Sequence, residues 1–293
     1  MKKFSFLVLS VLILSSCEKD INFNLSDSEN ILVVDANIEN GQAPVVVLTK
    51  SFDFFSEIKP ALLESSFVHA AEVTISNGTL THQLKEYTVP LADGYSYSYY
   101  SIDPANASTA FLGELKKSYS LTIKADGKEY TSTTTIPDIV KKPDSLWWKP
   151  APFTDDTNKV ILMVRSMDPP GLGNYVRYFT KKNDGIFLPG DNSVFDDQVI
   201  DGAAVEFQVV PGIDRNNPPK ADSNYFRRGD TVTLKFCDID KASYTFWSTW
   251  EFAQSSIGNP FSQPNKVLGN ISNGALGAFY GYAAVFKTIV IPK

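Results

Sequence analysis

Alternating apolar and polar positions run through most of the chain and predict short β-strands. The segments ILVVDANI and PVVVLTKSF flank Asn40-Gly41, a dipeptide typical of a tight hairpin turn. The same arrangement recurs around Asn77-Gly78 and around Asp126-Gly127. Three such hairpins before residue 139, with no helical periodicity of comparable length, indicate a β-sandwich.

The second half of the chain is also β-rich, with one change of period. We predict strands over KVILMVRSMDP, NYVRYFTKK, GAAVEFQVV, DTVTLKFCDID and YAAVFKTIVIP. Between the last two, Tyr244, Trp247, Trp250 and Gln254 recur every three to four residues, and Asp240 suits an N-cap. The sequence therefore predicts one helix over residues 241–255, packed on the sheet by its aromatic side chains.

A proline-rich stretch, IPDIVKKPDSLWWKPAP, separates the two series of strands. Enrichment in proline where one strand series ends is typical of a domain junction. We predict an all-β protein, with an N-terminal Ig-like β-sandwich over residues 31–139. A second β-rich domain with one helix follows over residues 140–293.

The first residues have the pattern of an export signal with a lipid attachment site. Lys2 and Lys3 precede an eleven-residue apolar run, which is shorter than the roughly 20 residues of a membrane span. Leu14-Ser15-Ser16-Cys17 resembles a bacterial lipobox, so residues 1–16 are a predicted signal peptide and Cys17 a predicted acylation site. Two or three acyl chains on Cys17 would make the membrane anchor durable.

Residues 17–30 are polar and predict a tether behind the lipid. Glu18-Lys19-Asp20 resembles the surface-export signal of Bacteroidota lipoproteins, although an ordinary solvated linker is an equally good interpretation. The first interpretation predicts an outer-membrane protein that faces the cell surface, and the second a periplasmic one.

Charge and composition exclude two classes of protein. Without Lys2 and Lys3 the chain has 25 basic and 33 acidic residues, a formal charge near −8. Nucleic-acid binding depends on basic patches, so a nucleic-acid partner is not expected. A chain that is 43% hydrophobic and 13% aromatic is not disordered in composition.

Aromatic side chains supply candidate ligand contacts. Tyr95, Tyr97 and Tyr99 share one face of a regular strand and suit a sugar or another amphipathic ligand. The alternative is a strand whose tyrosines cover the edge of the core. Trp147 and Trp148 are adjacent and would point to opposite faces, so one is predicted in the second core and the other at the junction.

Two polar loops are further candidates. The loop GDNSVFDDQVIDG is a weak calcium candidate, although its spacing does not match an EF-hand and a solvated acidic loop is the default; its carboxylates are Asp191, Asp196, Asp197 and Asp201. The segment PGIDRNNPPKADSNYFRRGD is long and irregular. Because such loops are often functional, Arg227 and Arg228 are predicted partner contacts.

Catalytic patterns are missing from the sequence. Cys237 has no partner for a disulfide if Cys17 is acylated, and a buried structural thiol is the favoured interpretation. A nucleophilic cysteine would need His69 or His82, both in the other half of the chain. There is no P-loop, dinucleotide fingerprint, G-x-S-x-G or H-E-x-x-H motif. We predict no enzyme activity and no cofactor.

Several segments together resemble one family. These are CEKDINFNL, ILVVDANIENGQAPVVVLTKSF, AEVTISNG, TTTIPDIVKKPDSLWW, DKASYTFWSTWE and NPFSQPNKVLGNISNGALGAFYGY. They resemble the Bacteroidota lipoproteins of the domain-of-unknown-function family 4249, over nearly all of the chain behind Cys17. The closing block is the most specific part of this resemblance.

The resemblance implies a setting for the protein and assigns no catalytic residue. Members tend to be encoded beside TonB-dependent outer-membrane transporters of the SusC-like kind. The expected function is therefore an accessory lipoprotein that helps such a transporter to capture a peptide, glycan or chelate. The alternative is a structural or adhesive envelope lipoprotein with no role in transport.

Overall fold

A computed structural model describes residues 30–52, 59–91, 94–215, 224–259 and 265–293. These residues form a predominantly β fold, which confirms the predicted class. The two α-helices described are α1 (Pro60–Ser66) and α2 (Lys241–Ser255). The strands described are β1 (Leu32–Glu39), β2 (Val45–Lys50), β3 (Glu72–Ser76), β4 (Thr81–Gln83), β5 (Lys85–Pro90), β6 (Ser96–Ser101), β7 (Lys117–Ala125), β8 (Lys128–Ile136), β9 (Pro143–Pro150), β10 (Lys159–Met167), β11 (Tyr175–Lys182), β12 (Leu188–Phe195), β13 (Ala204–Val209), β14 (Phe226–Arg227), β15 (Thr231–Ile239) and β16 (Leu276–Val290).

The strands form one large sheet and two small ones. The large sheet has the order β12-β11-β15-β16-β1-β2-β6-β5. One small sheet has the order β4-β3-β7-β8, and in the other β10 lies between β9 on one side and β13 and β14 on the other. Every pair is antiparallel except β1 with β16, which brings Val34 beside Gly277.

Strand alternation divides the side chains of the large sheet between two faces. Leu32, Val34, Ala36 and Ile38 of β1 point to one face and pack with β3, β7 and β8. On the same face, β11 and β15 pack with β10, β13 and β14 around a second core. The opposite face of β15 and β16 packs against α2. The two small sheets therefore cover one face of the large sheet, and α2 covers part of the other.

The predicted boundary at residues 139/140 falls between β8 and β9. Strands from both sides of it join the large sheet through the parallel β1–β16 pair. The described residues within 30–51 and 59–293 belong to one compact unit. The two predicted domains therefore share a sheet, while each supplies one of the small sheets.

Local predictions agree with the structure at the hairpins and at α2. The pairs β1–β2, β3–β4 and β7–β8 turn at the three predicted dipeptides, and Gly41, Gly78 and Gly127 have the positive φ that such turns require. α2 spans Lys241–Ser255, as predicted.

The sequence did not predict β9, β12 or the two-residue strand β14. The segment treated as a proline junction forms β9, and its Pro143 and Pro150 are tolerated because β9 is an edge strand. The beginning of the acidic loop forms β12, also at an edge, where few apolar residues are needed to hold a strand.

Candidate functional site

A groove lies beside α2, on the face of the large sheet opposite the two small sheets. Its volume is about 480 Å³, which is within the roughly 300–1,000 Å³ of small-molecule pockets. Phe246 and Trp250 of α2 form one wall, and Val33 of β1 contributes to the floor. The other wall is the segment 266–277, with aliphatic side chains and the ammonium group of Lys266. We call this feature the α2 groove.

One carboxylate fixes the start of α2. Asp240 accepts a hydrogen bond from the amide of Ser243 through Oδ1, at 2.8 Å, and thereby caps the helix. Its Oδ2 accepts bonds from the hydroxyl of Thr134 and the amide of Thr135, both at 2.9 Å. The N-cap therefore also attaches α2 to β8, so the first wall of the α2 groove has a fixed position.

Aromatic rings hold the rest of α2 on the sheet. The ring centroid of Trp247 lies 5.1 Å from that of Tyr280 and 5.7 Å from that of Trp250. Phe246 stacks on Tyr280 at 6.4 Å. Because these residues recur every three to four positions, one face of the helix meets β16.

The second wall is held by backbone contacts that depend on small residues. Asn270 accepts a bond from the amide of Phe279 at 2.8 Å and donates one to the carbonyl of Phe279 at 2.7 Å, as a paired strand would. Gly277 has a φ of +91°, and a Cβ there would lie 1.9 Å from the carbonyl oxygen of Val34. The wall follows β1 this closely because residue 277 has no side chain.

A buried polar cluster lies on the same face of the sheet, around Arg177. The guanidinium carbon of Arg177 is 3.3 Å from the centroid of the Trp247 ring. Arg177 donates from Nη1 to the hydroxyl of Tyr282 at 2.7 Å and from Nε to the hydroxyl of Ser193 at 3.3 Å. Glu251 of α2 accepts bonds from both the amide and the hydroxyl of Ser193. Ser193 thus links the cation to the carboxylate.

Burial dominates the electrostatics of this cluster. It raises the pKa of Glu251, although the bonds from Ser193 and the charge of Arg177 act in the opposite direction. Burial also raises the pKa of Tyr282. The guanidinium of Arg177, stacked on Trp247 and hydrogen-bonded to Tyr282, therefore lies beside a carboxyl group whose charged form is disfavoured by burial.

Asp35 is the one acidic side chain of β1 that remains exposed on this face. It accepts a hydrogen bond from the hydroxyl of Tyr280. Surrounding protein raises its pKa, while Tyr280 and the charge of Arg177 partly offset this. The bond from Tyr280 places the carboxylate of Asp35 beside the buried polar cluster on this face of the sheet.

These polar residues were not predicted from the sequence. Asp35 interrupts the apolar strand ILVVDANI at an outward position, and that interruption is the signal that could have identified it. Arg177 and Glu251 gave no signal, because charged residues in a strand and a helix are ordinarily solvated.

The predicted tyrosine stripe lies on the same face as Asp35. Tyr97 and Tyr99 point outward, with ring centroids 6.1 Å apart, whereas Tyr95 precedes β6. Tyr99 stacks on Tyr87 at 5.5 Å, and the edge of Phe67 meets Tyr97 at 5.4 Å. Both tyrosine rings therefore already contact neighbouring aromatic side chains of the chain itself.

The structure brings the tryptophan and arginine candidates together. Trp148 packs against the second core, and the guanidinium carbon of Arg228 lies 4.7 Å from its ring centroid. Arg227 approaches Asp156 at 3.5 Å. Trp147 lies on the opposite side of β9, as alternation predicts. These contacts within the chain stabilise the β9–β10 hairpin.

Two aspartates of the acidic loop accept hydrogen bonds from backbone amides. Asp197 accepts bonds of 2.8–3.1 Å from the amides of residues 173 and 174, and Asp201 accepts one of 2.6 Å from Gly171. Asp196 accepts a bond from Tyr244, and Asp191 lies in β12. Among the residues that the structure describes, no group of three or more histidine, cysteine or acidic side chains is arranged to hold a metal ion.

The cysteine and the histidines have separate surroundings. Cys237 is fully buried, and burial raises the pKa of its thiol. His69 contacts Glu86 at 2.5 Å, and His82 contacts Thr109 at 2.8 Å. The described contacts therefore provide no activating base for the thiol.

The predicted lipidation site, Cys17, lies outside the described residues. The whole predicted signal segment and most of the predicted tether also lie outside them. Within the described ranges, no helix combines the length and the apolar composition needed to cross a membrane.

Fold and site together define a β-rich protein with a groove between a helix and a glycine-rich wall. The family model "Domain of unknown function (DUF4249)" matches residues 18–288. Because this match covers almost the whole chain, the protein belongs to that family. No curated protein matches the chain. The residues that line the α2 groove lie in three of the segments that carried the resemblance to this family, 31–52, 240–251 and 259–282.

Proposed function

We propose that the protein is a Bacteroidota outer-membrane lipoprotein that binds a ligand in the α2 groove. In this proposal it works beside a SusC-like TonB-dependent transporter in nutrient capture. The observation that carries the binding role is the α2 groove itself, which has the size of a ligand pocket, one aromatic wall, one mainly aliphatic wall and a fixed frame.

The anchor supports the proposed setting. A lipobox ending in Cys17 and a polar tether would hold the folded unit at a membrane surface without a spanning helix. The chain contains only one other cysteine, Cys237, which is buried. Labelled palmitate should therefore enter the wild-type protein and Cys237→Ser, and should be absent from Cys17→Ser. Equal labelling of Cys17→Ser would contradict the anchor.

The proposed partner is tested through a C-terminal tag. Pull-down from cells in gentle detergent should recover a TonB-dependent receptor, because an accessory protein must contact the transporter that it serves. Recovery of no such receptor would count against the transport role. Added protease should digest the protein on intact cells if it faces the surface, and protection would contradict surface display.

The ligand-binding role is tested separately. Trp250→Ala removes the largest aromatic side chain of the α2 groove. Trp147→Ala on β9 is a matched control outside the α2 groove. Nutrient-dependent growth should fall with Trp250→Ala alone, while both variants still recover the receptor. If uptake is normal in a deletion strain and only attachment changes, the adhesive alternative is favoured.

A further inference from the structure

A second cavity lies between the large sheet and the small sheet of β10 and β13, away from the α2 groove. Its volume is 180 Å³. Most of its wall surface is apolar and is formed by Val176, Phe195, Ile200, Val205, Phe207 and Phe236, and Ser166 and Asp196 also line it. Apolar cavities of about 150 Å³ bind a molecule of the size of benzene, so one aromatic ring fits the available space.

A buried ion pair lies at the polar end of this cavity. Lys141 and Asp168 both line it, with Nζ 2.5 Å from Oδ1 and side chains only 4% and 1% exposed. The short distance pairs the two charges, because charge attraction does not depend on the angle, although the contact at Oδ1 lacks the angles of a good hydrogen bond.

The ion pair leaves one donor for a ligand. An ammonium group has three donors. Asp168 takes one, and the carbonyl of Asn174, at 3.3 Å, takes a second. Buried ion pairs contribute little net stability, because desolvation offsets the attraction between the charges. A Lys–Asp pair that faces an apolar space is therefore better explained by recognition than by stability.

The acidic loop closes this cavity. Ile200 of the loop forms part of the wall. The loop is fastened to the segment 168–174 by Asp197 and Asp201, and the amide of Gly202 donates to Asp168 at 3.1 Å. Burial alone would raise the pKa of Asp197, but backbone bonds from Asn174 and Gly173 outweigh it and hold the pKa below its usual value. At neutral pH the fastening carboxylate is therefore charged.

We propose that this cavity is a binding site for a small neutral aromatic molecule that carries one hydrogen-bonding oxygen. The ring packs among Phe195, Phe207 and Phe236, and the oxygen accepts the third bond of the Lys141 ammonium group. A ligand carboxylate is disfavoured, because it would lie beside the charge of Asp168. The acidic loop, a weak calcium candidate in the sequence, acts here as the cover of the cavity.

Phenol is the probe, and ligand-observed NMR with the purified full chain is the measurement. Phenol should bind saturably, and about tenfold more tightly than benzene, because a hydrogen bond to a charged donor contributes roughly that factor. Ile200→Phe fills the cavity and should abolish binding. Val199→Phe adds the same ring at a neighbouring side chain that is 93% exposed, and binding should persist.

Three results would overturn the proposal. The first is that phenol shows no saturable binding up to its solubility limit. The second is that Ile200→Phe, shown to be folded, binds phenol as the wild type does, which would place the site elsewhere. The third is equal affinity for benzene and phenol, which would leave no role for the ion pair; this comparison uses the wild-type chain and remains decisive if Ile200→Phe does not fold.

Discussion

Replacement of Gly277 by alanine tests whether close contact between β1 and β16 holds the α2 groove. A Cβ at this position would lie 1.9 Å from the carbonyl oxygen of Val34, and 2.8 Å and 3.0 Å from its carbonyl carbon and amide nitrogen. These are backbone atoms inside the parallel ladder, so no side-chain rotation relieves the overlap. The two strands would have to separate.

The magnitude follows from two contributions. A positive φ costs an alanine roughly 1–2 kcal/mol relative to glycine. Separation of the strands weakens several ladder hydrogen bonds, each worth about 1 kcal/mol. We therefore expect Gly277→Ala to lower the free energy of unfolding by about 4 kcal/mol or more, a large part of the 5–15 kcal/mol of a typical domain.

Gly274→Ala is the matched control. Gly274 also has a positive φ, +76°, but a Cβ there meets nothing within 4 Å. The effect of a glycine-to-alanine change on the unfolded chain is the same at both sites and cancels in the comparison. Gly274→Ala should therefore lose only about 1 kcal/mol.

Urea unfolding followed by tryptophan fluorescence measures both variants. At similar m-values, the midpoint should fall several-fold further for Gly277→Ala than for Gly274→Ala. Failure of Gly277→Ala to fold, with a normal control, would agree with the reasoning. Equal shifts in the two midpoints would refute it, because they would show that the contact with Val34 does not constrain the sheet.

Three further predictions concern buried groups. Burial raises the pKa of Asp238 to about 7. Between about pH 4 and pH 7 the folded protein therefore keeps a proton that the unfolded chain has already released. The free energy of unfolding of the wild type therefore falls as pH rises through that window, because the folded state must lose the proton of Asp238. Asp238→Asn should gain stability relative to the wild type from pH 5 to pH 8, by up to roughly 3 kcal/mol in urea unfolding; an unchanged difference would contradict this. Asp240→Ala removes both the helix cap and the bonds to β8 and should lower unfolding free energy by about 2–4 kcal/mol, whereas a loss no larger than that of an ordinary cap would show that the β8 bonds contribute nothing. The buried thiol of Cys237 should react with a thiol reagent at least a hundredfold more slowly in the native state than in urea, and rapid native labelling at pH 8 would disprove its burial.

Local patterns identified the elements that depend on local interactions. Alternation predicted the strands with one buried face, such as β1, and the Asn-Gly and Asp-Gly dipeptides predicted their turns. Asp240 and the aromatic period predicted α2, because capping and packing of a helix act over one to four residues. β9 and β12 escaped detection, since edge strands tolerate proline and polar residues.

The candidate site depends on contacts between distant parts of the chain. Val33, Trp250 and Leu276 meet at one groove although more than 200 residues separate the first from the last. Tyr97 and Tyr99 share a face, as the alternation of β6 predicts, but only the structure shows that Tyr99 stacks on Tyr87 and that Tyr97 makes a T-shaped contact with Phe67. The sequence also leaves the role of Asp197 open, because an aspartate can either bind calcium or accept hydrogen bonds from backbone amides. Only the structure shows that it accepts from the amide of Asn174.

The sequence by itself determined the β class, the hairpins, the helix and the predicted attachment point at Cys17, all of which follow from short-range chemistry. Only the tertiary structure decided that β1 pairs in parallel with β16, that Arg177 lies buried beneath α2, and that Lys141 and Asp168 meet at an apolar cavity. The physical reason is that strand pairing and burial depend on which faces meet in space, and a period of two residues is the same whichever partner the strand finds.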